Sequence, residues 1–249
     1  MDVKILTLNV NGLNNAAKRR NLMIYCISKD CDFYLLQETH CCDEIVDKWS
    51  KEWQTLTRGN SLWNNGNHKE RGVAILTKKD LRINEISTDK CGRILAANFC
   101  FKETTVRIIN IYGPNEPQQK ENFFKSLENH ARSCETLILS GDFNMVETPS
   151  LDRQGGDLFN RNNTLGQNNL KNFTEKYEII DIYRELNPLK IGFTYESPDK
   201  AFRSRIDRVY VSLAAKAESA CEIYDAPLSD HKAVICEIRF EKTNKRGPG

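Results

Sequence analysis

Apolar runs of two kinds divide the chain: short ones rich in β-branched residues, and longer ones with helical spacing. Residues 3–8 form the first short run and predict a strand beginning almost at the first residue. Residues 9–15 are a polar turn. Over 16–28, Leu22, Met23, Tyr25, Cys26 and Ile27 fall on one helical face, with Lys18, Arg19 and Arg20 off it. A second strand, 32–37, closes on Glu38 and completes a strand–helix–strand unit. Runs rich in Val, Ile and Phe at 72–77, 93–101 and 105–111 predict further strands, 118–132 a helix, and 136–139 a short buried strand leading to Gly141.

The polar, Gly-containing stretch 148–164 reads as a long surface loop and 165–177 as a helix. Residues 193–195, 206–211 and 233–240 return to strands. Composition does not break along the chain, and there is no internal repeat. This predicts one α/β domain over 1–241, two sheets packed together with helices outside. The charged, Gly- and Pro-containing segment 242–249 reads as a flexible tail that starts a linker.

Charged residues make up 28% and hydrophobic residues 39%, an ordinary globular balance, and the net charge of +2 permits a polyanionic partner without specifying one. Any nucleic-acid interface must come from local clustering of Lys and Arg. The nine cysteines contain no C-x-x-C pair, and Cys41-Cys42 beside His40 lacks the spacing of a structural zinc site. They read as reduced, mostly buried thiols, which predicts an intracellular protein. No basic-then-apolar leader follows Met1 and no run is long enough to cross a bilayer, so no membrane partner is expected.

The chemistry gathers where apolar runs end. Glu38 closes one strand, Gly141-Asp142-Phe143-Asn144 follows another, Asp207 opens a third, and Ser229-Asp230-His231 precedes the last. Carboxylates that can hold a hard cation or take a proton, together with an imidazole steadied by an acid, are the parts of a metal-assisted phosphodiesterase. Taken singly, Glu38 also reads as a surface carboxylate, Asn9 and Asp142 as turn residues, and His231 as a structural histidine.

Six segments occur in order across nearly the whole chain. They are residues 9–13, Leu36-Gln37-Glu38-Thr39, Asn110 to Asn115, Gly141 to Asn144, Ile206-Asp207 and Ser229 to His231. Together they resemble the exonuclease III-like endonuclease/exonuclease/phosphatase superfamily. Within it, residues 37–40, Asp181 to Arg184 and Leu228 to His231 are similar to the endonuclease domain of LINE-type (non-LTR) retrotransposons. The resemblance implies two packed mixed β-sheets flanked by helices, a four-layer α/β sandwich. It implies Mg²⁺, with Mn²⁺ as substitute, held by Glu38, with Asp230 as a second metal or water contact. Asp142 would orient or deprotonate the attacking water, Asn144 and His231 would contact the phosphate, and Asp207 would hold the His231 ring. Tyr112 would stand at the scissile phosphate and Asn9 would orient the metal shell or nucleophile. Asn11 replaces an Asp common in repair members, so a carboxylate is missing there.

Phe202, Arg203 and Arg205 read as a basic, aromatic hairpin tip suited to a DNA groove, or as a plain soluble hairpin. Asn115 and Thr194 are candidate DNA contacts, Thr194 equally an ordinary strand residue. Ser204 stands where repair members tend to carry a bulky aromatic, which argues against a tight pocket for a flipped abasic sugar. The resemblance implies an endonuclease that nicks one strand of duplex DNA in the nucleus. The nick leaves a 3′-hydroxyl primer for a reverse transcriptase domain in the same polypeptide. An abasic-site repair nuclease, a phosphatase or sphingomyelinase-like lipase, and a catalytically silent DNA-binding module are the alternatives.

Overall fold

Each of two apolar strand pairs is joined by a helix that crosses over it, and these two units seed the two sheets. The computed structural model describes residues 2–101, 104–131, 136–156, 164–213 and 220–239. In the first unit, β1 (Asp2–Asn9) and β2 (Phe33–Gln37) run parallel, connected by α1 (Ala16–Ser28). Asn15 starts that helix, its side chain accepting from the Lys18 amide at 2.9 Å. In the second, β7 (Thr104–Tyr112) and β8 (Thr136–Asp142) run parallel, with α3 (Pro117–Ser126) between them.

All other neighbours are antiparallel. Around the first pair, β4 (Val73–Thr77) and β3 (Ser61–Asn64) add on the β2 side, and β15 (Ala233–Arg239) and β14 (Ala220–Tyr224) on the β1 side. Around the second pair, β6 (Ile94–Phe101) and β5 (Arg82–Thr88) flank β7, while β13 (Asp207–Ser212) and β10 (Ile179–Asp181) flank β8.

Alternation along the strands sorts side chains into three apolar layers. Ile5, Phe33, Leu35 and Ile75 meet Val106, Ile108, Ile138 and Val209 between the sheets. On the far side of the first sheet, Leu6, Leu8, Tyr34 and Leu36 pack against Leu22 and Met23 of α1 and Trp49 and Trp53 of α2 (Val46–Thr57). On the far side of the second, Ile109, Leu137 and Leu139 meet Phe123 and Phe124 of α3 and Leu170 and Phe173 of α5 (Gln167–Lys176). This is the expected four-layer α/β sandwich.

Several local expectations change. The chain pattern leaves α2 unassigned, although Val46, Trp49, Trp53 and Leu56 recur at helical spacing among its charges. The helix over 118–132 ends at Ser126 and tightens into a 3₁₀ turn, Leu127–Asn129. The stretch 148–164 is not all loop. It holds α4 (Pro149–Asp152) and β9 (Arg153–Gly155), which pairs with β12 (Phe202–Ser204) and, through it, β11 (Tyr195–Glu196) in a small third sheet. Phe202 and Arg203 therefore lie in a paired strand, and the reversal is at 197–201. Cys221 and Cys236 face one another across β14 and β15 and are joined as a disulfide, so the cysteines are not all free thiols. Of the described free cysteines, Cys26, Cys31, Cys41 and Cys42 are buried as expected. Residues 157–163, the end of the last strand at 240 and the tail 242–249 lie outside the described residues. Among the described residues, no helix is long and apolar enough to cross a membrane.

Candidate active site

The topology brings the chemistry to one edge. Parallel strands β1, β2, β7 and β8 all finish on the same side, while antiparallel β13 and β15 begin there. Asn9, Tyr112 and Asp142 close their strands, Glu38 follows β2 directly, Asp207 opens β13, and His231 lies just before β15. Register fixes the neighbours: Tyr112 is opposite Asp142, and Asp142 is opposite Asp207.

Asn9 stands at the centre. Its amide nitrogen donates to Glu38 Oε1 and to Asp142 Oδ2, both at 2.9 Å, so one side chain spaces the two carboxylates. Its own oxygen accepts from the Asn11 amide at 3.0 Å, which fixes the direction of the amide. Ser229 Oγ donates to the Asn9 carbonyl at 2.7 Å and accepts from the His231 amide at 3.0 Å, tying the His231 loop to β1.

Glu38 adopts a φ of +50°, uncommon for a residue with a side chain, and turns its carboxylate into the cleft. Burial alone would raise its pKa. The His40 imidazole 3.6 Å away, the adjacent Tyr112 phenol and the hydrogen bond from Asn9 outweigh that and hold it at about 2. The Tyr112 phenol, buried and beside Glu38 and Asp142, is pushed far up and stays a donor. The Arg93 guanidinium lies 4.9 Å from the Tyr112 ring centroid and bonds the Tyr112 and Gly113 carbonyls, which fixes the ring.

Asp142 is fully buried, with Oδ1 accepting from the Asn144 amide at 2.8 Å. Burial and the negative charge of Asp207 push its carboxyl well above the usual range, against the opposing pull of His231 and Asn9. His231 Nδ1 is 2.9 Å from Asp207 Oδ2, and Nε2 is 3.9 Å from Asp142 Oδ2. Burial would lower the imidazole, but Asp207, then Asp142 and Asp230, raise it to about 10. The ring is thus a fixed cation whose Nε2 side turns to Asp142.

Asp142, Asp207 and His231 each offer a donor atom within 4.8 Å of the others, a set able to take a divalent ion. His231 and Asp207 already satisfy each other through Nδ1, however. The ionised Glu38 carboxylate suits a hard cation better, with Asn11 and Asp230 on the same cleft wall. Asn11 Nδ2 donates to Asp230 Oδ1 at 3.1 Å, so the amide standing in place of a carboxylate orients an acid instead.

The cleft, of about 350 Å³, is further lined by Asn115, Asn144, Arg153, Tyr195, Phe202, Ser204 and Ile206. Two expected DNA contacts are not at its surface. Arg205 is 1% exposed and bonds Asp152 at 2.8 Å and Asp181 at 2.6 Å. Thr194 is wholly buried, its hydroxyl accepting from the Ile206 and Asp207 amides at 3.1 Å, and so it sets where Asp207 sits. Arg203 is exposed beside Glu196, and Phe202 is half-buried under the Arg153 guanidinium.

The structure adds residues that the chain pattern does not single out. Tyr195 packs its ring 4.9 Å from His231 and pairs with it across a β-bridge. Lys120 Nζ donates to the Asn144 carbonyl at 2.6 Å. Beneath the site, Gln37 donates to Asn110 at 2.7 Å and Asn110 to the Leu36 and Ala74 carbonyls, a buried amide bridge between the sheets. Gln37 and Asn110 lie within the motif segments, so position was the one signal available for them. Lys120, Arg153 and Tyr195 had none.

A two-sheet sandwich with carboxylates, amides and a charged imidazole converging at one edge defines a hydrolytic phosphodiesterase. The chain belongs to the Endonuclease/Exonuclease/phosphatase family, whose sequence profile matches residues 6–231. It is 29% identical over 243 residues to the Transposon TX1 uncharacterized 149 kDa protein of Xenopus laevis, an alignment covering 94% of this chain. The chain spans only 18% of the length of that relative. Its fold is similar to that of an AP endonuclease from Archaeoglobus fulgidus, with a TM-score of 0.80, 16% identity, and coverage of 94% of this chain and 98% of that one. It is also similar to the endonuclease domain of TRAS1, a telomere-specific non-LTR retrotransposon. There the TM-score is 0.68 and the identity 16%, over 97% of this chain and 100% of that one.

The two buried groups set a pH profile. If Asp142 works ionised and His231 protonated, the rate rises as pH passes the elevated Asp142 pKa and falls as His231 loses its proton near about 10. The acid limb should lie above the ordinary Asp value of about 4 at low metal concentration, and a bound cation should move it lower. Single-turnover rates against pH check both limbs.

Proposed function

We propose that the chain is the endonuclease of a LINE-type retrotransposon, nicking one strand of duplex DNA with Mg²⁺, or Mn²⁺ in its place. The product would be a 3′-hydroxyl that primes reverse transcription by a reverse transcriptase domain of the same polypeptide, in the nucleus. The observation that carries this reading is the similarity to the TX1 protein along 94% of the chain. Ser204 on the cleft wall supports it, since a small side chain there leaves no tight pocket for an extruded abasic sugar.

The roles follow from the contacts. Glu38, with Asp230, would hold the cation, which when bound polarises the phosphate and lowers the pKa of its water. Asn9 keeps Glu38 and Asp142 at a set spacing. Asp142 would accept the proton of the attacking water, and His231, kept charged by Asp207, would donate from Nε2 to the developing negative charge on phosphate. Asn144 anchors Asp142 through its main chain, and its side-chain nitrogen, which donates to the Gly113 carbonyl at 2.9 Å, would offer its second hydrogen to the phosphate, while Tyr112 holds Glu38 ionised. Asn115, Phe202 and Arg203 would meet the DNA beside the scissile bond.

Glu38→Gln is expected to raise the Mg²⁺ needed for half-maximal nicking by more than about 100-fold, because losing even an outer partner of a ligand costs about 10–100-fold. Unchanged metal dependence would remove Glu38 from the metal. The substrate is tested with an end-labelled duplex holding a central abasic site and long A/T-rich flanks. Nicks spread through the flanks support the proposal, and Phe202→Ala or Arg203→Ala should then redistribute them. Cutting confined to the abasic site identifies a repair nuclease instead.

A further inference from the structure

Outside the cleft, one group of side chains has the composition of a soft-metal site. Cys42 follows Glu38 by four residues, and Glu44 lies just before α2. His68 comes from the turn between β3 and β4, where Asn67 Oδ1 accepts from the Lys69 and Glu70 amides and the His68 carbonyl accepts from Asn14 at 2.7 Å. Cys42 Sγ lies 3.5 Å from the His68 ring nitrogens, and the three donor atoms all fall within 4.8 Å of one another. Zn–S of about 2.3 Å and Zn–N of about 2.0–2.1 Å at a tetrahedral angle separate sulfur and nitrogen by about 3.6 Å. The sulfur is equidistant from both ring nitrogens and so lies against the ring, and the exposed His68 side chain would rotate to aim one nitrogen at the ion. The sulfur is buried, while Glu44 and His68 are exposed, so a fourth position faces solvent.

We propose that Cys42, Glu44 and His68 form a Zn²⁺ site distinct from the catalytic residues. One thiolate, one imidazole and one carboxylate favour zinc over the hard ions suited to Glu38. As the Zn–S bond forms, the Cys42 thiol releases its proton to solvent. The site would clip together two segments that the main chain already joins. Gly66 donates to the Cys41 carbonyl at 3.0 Å, His40 to the Arg71 carbonyl at 2.8 Å and Thr39 to the Gly72 carbonyl at 3.0 Å. Zinc would thereby brace the loop that carries Glu38 and His40. The spacing around Cys41-Cys42 hides this in the sequence, because the second strong ligand is 26 residues away.

The test titrates the full chain with Co²⁺ as an optical stand-in and then with Zn²⁺ in competition against a chromophoric chelator. One equivalent of Co²⁺ should give a thiolate-to-cobalt charge-transfer band that Zn²⁺ abolishes. Cys42→Ser should lose the band, and the surface variant His68→Ala should weaken Zn²⁺ binding at least tenfold while keeping the wild-type circular dichroism. Asp142→Asn should leave the band intact. No band in the wild type, or a band that survives Cys42→Ser, overturns the proposal.

Discussion

In the proposed endonuclease, His231→Ala is expected to slow nicking by about 10²–10⁴-fold with little loss of DNA affinity. The ring is locked by Asp207 at 2.9 Å and carries its proton up to about 10, so at neutral pH it is a fixed positive donor at the cleft. In the proposed mechanism its value lies in meeting charge that appears only in the transition state, which is why the loss should fall on kcat and not on binding. Asp142→Ala should cost as much, and the double variant hardly more than either alone, since in the proposed mechanism the two act on one event. Asp207→Asn should lower the alkaline limb of the pH profile by removing the charge that raises the imidazole. Single-turnover nicking with end-labelled duplex checks all four variants, and a residual rate within a few-fold of wild type for His231→Ala would remove it from the chemistry.

Arg205→Met is expected to destabilise the fold by about 3–5 kcal/mol, because it strips Asp181 of its guanidinium partner and leaves the buried Asp152 with Arg184 alone. Asp152 is fully buried and Asp181 nearly so, and both contact the Arg205 guanidinium, with Arg184 adding a second contact to Asp152 at 2.6 Å. The melting temperature should fall by roughly 6–20 °C at about 2–4 °C per kcal/mol for a chain of this size. Burial would raise the Asp152 carboxyl, but Arg205 holds it below its ordinary value. A depressed folded pKa gives stability that is present above the unfolded value and lost as pH falls through the folded one. The gap between wild type and Arg205→Met should therefore narrow below about pH 4. Urea denaturation at neutral and acid pH measures it. Equal stability at neutral pH would mean that the network is not holding the small sheet against the body.

Arg203 and Arg205 show how far the chain pattern reaches. Both stand in one basic stretch, and nothing local separates them. Arg203 is exposed beside Glu196, while Arg205 turns inward to partners 53 and 24 residues away. Thr194 behaves the same way, a strand-like residue whose hydroxyl is spent on main-chain amides 12 and 13 residues on. Tyr195 and Lys120 reach the site only through tertiary contacts, a β-bridge and ring contact to His231 and a hydrogen bond to the Asn144 carbonyl, so their roles have no sequence signal. The helix α2 does carry a local signal, Val46, Trp49, Trp53 and Leu56 at helical spacing, so its absence from the expected elements has no tertiary cause.

The sequence by itself determined the central strand runs β1, β2, β4, β6, β7, β8, β13 and β15, the two crossover helices, the two-sheet sandwich and the order of carboxylates, amides and histidine at strand ends, but not β3, β5, β9, β10 or β14. It could do so because apolar period and turn chemistry are local properties, and because parallel strands joined by helices must end on one edge. Only the tertiary structure decided which of those groups touch. That Asn9 joins Glu38 to Asp142, that Asp207 charges His231, and that Arg205 is buried follow from register across sheets and from partners far along the chain. Burial and electrostatic pairing are long-range quantities, and they set the protonation on which the chemistry depends.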